Sequence, residues 1–204
     1  GYFWPPVEAT DMNDRPHVAG LCGSLRDASY TRIALRHALS EAADGGATTT
    51  MIDLREYELP VFDPDHSEAG DADRLCEELQ RADSIVLGSP MYHGSYSAPL
   101  KNALDYSGFD EFENTTVGLL GVSGGKFPTG TVEHLRSVCR ALNAWVIPHQ
   151  AVVPNASSQF EGGEFVDEKM AERVAVLGQR TVEYANIEPD PPSFRSTENV
   201  GGND

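Results

Sequence analysis

The sequence has little lysine, little cysteine and no long apolar run. Three lysines occur among 204 residues, and 32 acidic residues face 15 basic ones, for a formal net charge of −17. Such a charge repels nucleic acid and anionic membranes, so neither is an expected partner. Dispersed acid with so few lysines is typical of proteins that remain dissolved at high salt, although an ordinary acidic cytoplasmic protein is the alternative.

The three cysteines, Cys22, Cys76 and Cys139, are too few and too far apart for several kinds of site. They form no C-x-x-C pair, which argues against an iron–sulfur cluster, and their odd number argues against a disulfide framework. We expect reduced thiols, a cytoplasmic location and no bound metal. No apolar run approaches the length of a membrane span, and no signal peptide is visible.

Three segments divide the chain. Residues 1–16 are either an N-terminal arm or a segment added ahead of the protein. Residues 1–11 match no periodicity, and Met12, which follows them, is a possible natural start. Residues 17–187 alternate short apolar strands with amphipathic helices and form the predicted domain. Residues 188–204 are rich in proline, serine and glycine, and we expect a disordered tail there.

The alternation of strands and helices predicts an α/β fold. Such an order is typical of a doubly wound sheet of about five parallel strands with helices on both faces. Ligands bind these sheets beyond the carboxyl ends of the strands. Strands are expected at 18–22, 47–54, 84–89, 115–122 and 144–153, the last interrupted by Pro148, and helices at 31–43, 71–82, 99–106, 131–142 and 167–184.

Three polar loops that contain glycine follow strands and are expected at that edge: the first loop (23–30), the second loop (90–97) and the third loop (123–129). The first loop leads into a helix, whose N-terminal N–H groups and dipole favour an anion. Its hydroxyls can surround a phosphate, and Arg26 can neutralise the charge. The alternative is a simple capped helix start with Ser29 as the N-cap.

The second and third loops have residues that suit a flat ring. Met91 and Tyr92 can lie against a planar ring, and Gly94 lets the backbone approach the polar edge of that ring. Packing in the core is the alternative for both side chains. His93 is either a proton donor or, as is more common, a solvated loop residue. Ser123-Gly124-Gly125 presents small residues and free amides, or is a plain flexible turn.

A phosphate loop and two ring loops together indicate a mononucleotide with a large planar base, which FMN satisfies. The Gly-rich loop ending in Gly-Lys-Ser/Thr that ATP or GTP would require is absent from the sequence. A G-x-G-x-x-G dinucleotide fingerprint after the first strand is absent as well.

Two motifs resemble the NADPH-dependent FMN reductase family of flavodoxin-like proteins. They are Gly-Ser-Leu-Arg-x-x-Ser-x-Thr-Arg at 23–32 and Ser-Pro-Met-Tyr-His-Gly-Ser-x-Ser-x-x-Leu-Lys-Asn-Ala-Leu-Asp-Tyr at 89–106. The similarity covers residues 17 to about 155. Family members commonly have Asn where Thr31 stands, which leaves the role of Thr31 open, and they often have Trp where Tyr106 stands.

The resemblance implies a role for residues of all three loops. The FMN phosphate would be bound by Ser24, Arg26, Ser29, Thr31 and the backbone of Tyr30. The isoalloxazine would be lined by Pro90, Met91, Tyr92, His93, Gly94 and Ser95, and its pyrimidine side would lie near Ser123, Gly124 and Gly125.

The resemblance also implies an activity. NADPH or NADH would pass hydride to the flavin N5, and the reduced flavin would then reduce a second small-molecule acceptor in a ping-pong scheme. A quinone, free flavin, azo compound, metal oxyanion or oxygen would serve as acceptor, and the protein would supply no catalytic acid, base or nucleophile. The implied assembly is a homodimer or a tetramer. The rival hypothesis is a flavodoxin-like FMN electron carrier that does not oxidise a nicotinamide.

Overall fold

The computed structural model describes residues 15–185, and its centre is one sheet of five parallel strands in the order β2-β1-β3-β4-β5. The expected arm at 1–16 and tail at 188–204 therefore lie almost wholly outside the described residues. The sheet strands are β1 (His17–Cys22), β2 (Thr48–Asp53), β3 (Ser84–Pro90), β4 (Thr116–Val122) and β5 (Trp145–Val153). The five-stranded parallel sheet predicted from the sequence is confirmed.

Six α-helices, three short 3-10 helices (Leu54–Glu56, Pro64–His66 and Ala156–Ser158) and one small hairpin complete the described part of the chain. The helices are α1 (Tyr30–Asp44), α2 (Ala72–Gln80), α3 (Ala98–Tyr106), α4 (Phe109–Phe112), α5 (Thr129–Ala141) and α6 (Glu168–Glu183). The hairpin pairs β6 (Phe160–Glu161) with β7 (Glu164–Phe165). The sequence pattern predicted five of these helices, but neither α4 nor the hairpin.

The two faces of the sheet bury separate apolar clusters. Helices α1 and α6 cover one face, where Leu35 and Leu177 pack on Val86 and Leu120. Helices α2 to α5 cover the other. Every residue of β3 and β4 is buried, which is the pattern of central parallel strands covered on both sides. Among residues 15–185, no helix has the length and apolar character needed to cross a membrane.

Pro148 marks the irregular part of edge strand β5. The pairing of β5 with β4 is regular up to Val117 and Val146, and then shifts so that Leu119 lies opposite Gln150. Proline has no backbone N–H to donate to the neighbouring strand, and an edge position tolerates that loss. The interruption predicted at Pro148 is therefore present, but the strand continues beyond it to Val153.

Candidate cofactor-binding site

The loops that follow β1, β3 and β4 meet at the carboxyl edge of the sheet around a cavity of about 210 Å³. A fourth loop, residues 154–159 after β5, joins them there. Ten of the residues proposed from the sequence line the cavity: Ser24, Arg26, Ser29, Tyr30, Thr31, Pro90, Met91, Tyr92, Ser123 and Gly124. His93, Gly94, Ser95 and Gly125 belong to the same loops but do not line the cavity, whereas Ala28, Val122, Ala156 and Ser157 line it and were not predicted.

Gly23 and Ser97 fasten the first loop to the second. The Gly23 N–H donates to the Gly88 carbonyl at 2.8 Å, and the Ser97 hydroxyl donates to the Gly23 carbonyl at 2.6 Å. A Cβ on Gly23 would lie 2.7 Å from the Cβ of Leu100, so only glycine fits this contact between the loop and α3. The first loop thus begins at a fixed point.

Ser29 is the N-cap of α1, as the alternative interpretation of the first loop expected. Its side-chain oxygen accepts a hydrogen bond from the Arg32 N–H at 3.1 Å. The hydroxyl still has its own proton to donate, so capping the helix and binding an anion are compatible. Both interpretations of this serine therefore describe the same geometry.

The donors of the first loop are available to a ligand. Arg26 is exposed, and within residues 15–185 its guanidinium forms no ion pair. The backbone N–H groups of residues 25–28 make no hydrogen bond to any part of the chain that the structure describes. A cationic side chain and several unpaired amides beside a helix N-terminus are the donor set of an anion site.

The second loop contains a tight two-residue turn. Tyr92 and Ser95 exchange backbone hydrogen bonds of 2.9 and 3.1 Å, and His93 and Gly94 between them have φ values of 50° and 84°. Positive φ at both central residues is the type I′ geometry, which explains glycine at the second position. The turn leaves Tyr92 half-exposed, at 49%, at the mouth of the cavity.

The fourth loop holds the third loop in place. The Ser123 N–H donates to the Val153 carbonyl, and the N–H groups of Asn155 and Ala156 donate to the carbonyls of Gly125 and Ser123, all at 2.9 Å. The segment Ser123-Gly124-Gly125 is therefore tied at both of its ends to the chain that follows β5. A Cβ on Gly124 would meet nothing within 4 Å, so space for a ligand edge remains beside it.

A buried ion-pair network lies under the first loop. The Asp53 carboxylate, at the end of β2, accepts hydrogen bonds of 2.7 Å from Arg32 Nε and from Arg55 Nη2. Burial by itself would raise the pKa of Asp53, but the hydrogen bonds from Arg55 and Arg32 outweigh it and lower the pKa from 3.8 to about 2. Arg32, the last residue of the first sequence motif, thus belongs to this network and is not among the residues that line the cavity.

The cysteines have environments that keep them protonated. Cys22 and Cys139 are buried and Cys76 is half-buried, and all three are free thiols. Burial raises the pKa of Cys139 to about 12, and burial together with the charge of Glu111 raises the pKa of Cys76 to about 11. The thiolate is the reactive form, so a raised pKa makes these thiols weak nucleophiles at neutral pH.

The cavity fits FMN at both of its ends. Unpaired amides, Arg26 and the hydroxyls of Ser24 and Thr31 provide for a phosphate at one end, while Met91 and Tyr92 provide apolar surface at the other. Its volume of about 210 Å³ is below the roughly 300–1,000 Å³ of enclosed ligand sites. A bound FMN would therefore leave part of its ring uncovered by the described residues of this chain.

Comparison with known proteins gives the family. Residues 16–158 match the model of a family described as NADPH-dependent FMN reductase. The FMN-dependent NADPH-azoreductase of Staphylococcus aureus (strain USA300) is 30% identical over 178 residues, which are 83% of this chain and 95% of the relative.

Solved structures share the fold at low sequence identity. An NADH:FMN oxidoreductase in its apo form superposes with a TM-score of 0.71 at 18% identity, over 85% of this chain and 92% of its own. The NAD(P)H:(acceptor) oxidoreductase FerB from Paracoccus denitrificans gives 0.70 at 20% identity, over 83% and 97% of the two chains. The resemblance stated from the sequence motifs is confirmed: the chain belongs to the NADPH-dependent FMN reductase family, oxidoreductases whose cofactors are FMN and a nicotinamide nucleotide.

Proposed function

We propose that the protein holds FMN in the four-loop cavity, oxidises NADPH or NADH, and reduces a second small-molecule acceptor in a ping-pong cycle. One observation supports this most. The first loop, whose amides have no partner within the described residues, and the second and third loops line the same cavity at the carboxyl edge of the sheet. This is the edge at which doubly wound sheets bind their ligands.

The chain's own residues bind and orient the cofactor. Arg26 and the amides of the first loop hold the phosphate, with the hydroxyls of Ser24, Ser29 and Thr31 around it. Pro90, Met91 and Tyr92 support the ring, and the amides beside Gly124 approach its polar edge. When bound, FMN supplies the redox chemistry, accepting hydride from the nicotinamide and passing electrons to the acceptor.

The acceptor is a planar or compact small molecule that takes the place vacated by the oxidised nicotinamide. A quinone, a free flavin, an azo compound or a metal oxyanion meets this description. The relative from Staphylococcus aureus is named an azoreductase, which supports testing azo compounds first. Two substrates that use the same open side of the ring in turn require ping-pong kinetics.

A homodimer is the assembly that we propose. An apolar groove of about 540 Å³ lies next to the site, between the first loop, the segment 54–61 and one side of α3. Val61 and Leu25 on its rim are 86% and 52% exposed. Exposed apolar surface of this kind is typical of an interaction face, and a second copy seated here would border the cavity.

Stopped-flow absorbance tests the proposal directly. FMN-loaded protein is mixed anaerobically with NADPH or NADH, and rapid bleaching of the flavin band in the blue is expected with at least one of them. Parallel initial-rate lines with an azo dye or a quinone are expected for a ping-pong scheme. If neither nucleotide reduces the bound flavin, the electron-carrier hypothesis replaces this one.

A further inference from the structure

The Arg32 guanidinium lies beneath the first loop and holds three of its carbonyl groups. Nη1 donates to the carbonyls of Arg26 at 2.8 Å and Asp27 at 3.2 Å, and Nη2 donates to the carbonyl of Ser24 at 2.9 Å. The Arg32 side chain is 4% exposed. The guanidinium group is a planar fork with several N–H donors, a geometry that no other side chain has. Here it allows one side chain to contact three backbone carbonyl oxygens.

The charge of Arg32 is balanced without any ligand. Its Nε and Nη2 donate to the two carboxylate oxygens of Asp53, at 2.7 and 3.3 Å. Arg55 binds the same carboxylate from a more exposed position, with Nη2 at 2.7 Å. Arg32 is thus committed to Asp53 and to the loop, and it is not one of the groups that meet a phosphate.

The direction of these three carbonyl groups also determines the direction of the N–H groups in the same peptide bonds. The described peptide bonds are all trans, and in a trans peptide the C=O and the following N–H point in opposite directions. The carbonyls of Ser24, Arg26 and Asp27 face Arg32, so the N–H groups of residues 25, 27 and 28 point away from it. These are among the amides that have no partner within residues 15–185.

We propose that Arg32 is a positioning residue that presents the first-loop amides to the phosphate of FMN. This rests on the proposed function, since it assigns the phosphate to the same loop. Residues 25–28 are exposed, so the loop has little packing of its own to fix these peptide planes. Without the fork the loop would have to be ordered at the moment of binding, and that entropy cost would weaken the affinity for phosphate.

The test compares FMN with riboflavin, which lacks the phosphate. Dissociation constants are measured by quenching of flavin fluorescence for the wild type, for Arg32→Lys and for the matched control Arg55→Lys. Arg32→Lys keeps a charge opposite Asp53 but loses the fork, and we expect FMN to bind about tenfold more weakly while riboflavin binding stays within about twofold. Arg55→Lys also alters the Asp53 pair, but Arg55 touches no loop carbonyl, and both constants are expected to stay within about twofold.

Backbone 15N relaxation gives a second readout that does not depend on activity. In the cofactor-free protein, the order parameters of amides 25–28 are expected to be lower in Arg32→Lys than in the wild type because their peptide planes are no longer fixed, while those of the sheet amides stay unchanged. If Arg32→Lys yields no folded protein, Arg32→Gln takes its place, because Arg55 still neutralises Asp53 there.

One result overturns the inference alone: an unchanged ratio of FMN to riboflavin affinity in the Arg32 variant. Two unchanged constants would show that Arg32 does not position the loop, and an equal loss for both flavins would show general destabilisation. A wild type that binds riboflavin as tightly as FMN overturns the assignment of the phosphate to the first loop, on which this inference and that part of the proposed function rest. That outcome is visible before any variant is measured, so the two failures are distinguishable.

Discussion

Asp53 connects the chemistry of single residues to the stability of the site. Its side chain is 7% exposed and receives hydrogen bonds from two arginines, one buried under the first loop and one at the surface. The three arginines of this region, Arg26, Arg32 and Arg55, outnumber the two aspartates, Asp27 and Asp53. Because Asp53 and Asp27 pair with Arg32 and Arg55, these five side chains carry a net charge of +1, in a chain of net charge −17.

The depressed pKa of Asp53 predicts how its contribution to stability depends on pH. A carboxyl group with a folded pKa of about 2 and an ordinary value of 3.8 stabilises the folded state above the higher value, by about 2 kcal/mol. That contribution is lost as pH falls from about 4 to about 2. Asp53→Asn should therefore unfold more easily at neutral pH, and the difference from the wild type should fall by about half at pH ~3.

Urea denaturation at several pH values measures this difference. Glu172→Gln is the control, because Glu172 is exposed on α6 and should give a small difference that does not change with pH. A gap between Asp53→Asn and the wild type that stays constant from neutral pH to pH ~3 would show that ionisation of Asp53 is not what stabilises the network.

Local patterns identified some site residues and missed others for a physical reason. Ser29 and Arg26 could be predicted because a helix start after a buried strand exposes amides, whatever the rest of the fold. The contact between Arg32 and Asp53 spans 21 positions, and nothing in either residue's neighbours indicates it. Ser157 was missed because the loop after β5 follows an irregular strand and carries no glycine signal.

At the scale of elements, the helices and strands with a strong hydrophobic period could be predicted, and the elements without one could not. The continuous apolar runs of β3 and β4 and the helical spacing in α1 and α6 predicted those elements to within a few residues. The hairpin has strands of two residues each, too short for a period to show. Aromatic contacts hold the hairpin in place. The stacked rings of Phe160 and Tyr30 have centroids 5.3 Å apart, and the ring centroids of Phe160 and Phe165 are 4.4 Å apart.

The packing of α6 on α1 predicts an unusual response to a glycine substitution. Glycine in a helix normally costs about 1 kcal/mol relative to alanine, so replacing it should stabilise. A Cβ on Gly178 would lie 2.0 Å from the carbonyl oxygen of Ala38, however, so the two helices could not keep their present distance. Gly178→Ala should lower the free energy of unfolding by about 2 kcal/mol or more.

Thermal and urea denaturation of Gly178→Ala measure both the sign and the size of the change in the free energy of unfolding. Glu172→Ala, on the exposed side of the same helix, is the control and should stay within about 0.5 kcal/mol of the wild type. A Gly178→Ala protein more stable than the wild type would mean that α6 can move away from α1 at little cost.

At the scale of the whole molecule, the two sheet faces differ in what remains exposed. On the side of α2 to α5, the apolar groove beside the site has Val61 at its rim, 86% exposed. On the side of α1 and α6, the exposed valine is Val166, at 53%, where the hairpin leads into α6. Val61 lines the apolar groove, whereas Val166 is not among the residues that line it. The same substitution at the two valines therefore tests the proposed homodimer.

Val61→Asp should dissociate the homodimer, whereas Val166→Asp should not. A carboxylate buried in an apolar contact has no partner, and its desolvation costs several kcal/mol, more than most interfaces recover from one contact. Sedimentation velocity is expected to show a dimer for the wild type and for Val166→Asp, and a monomer for Val61→Asp, with equal helix content by circular dichroism. A wild type that sediments as a monomer would remove the homodimer from the proposal. A dimeric Val61→Asp would place the contact on a face other than the apolar groove and would overturn that part of the proposal.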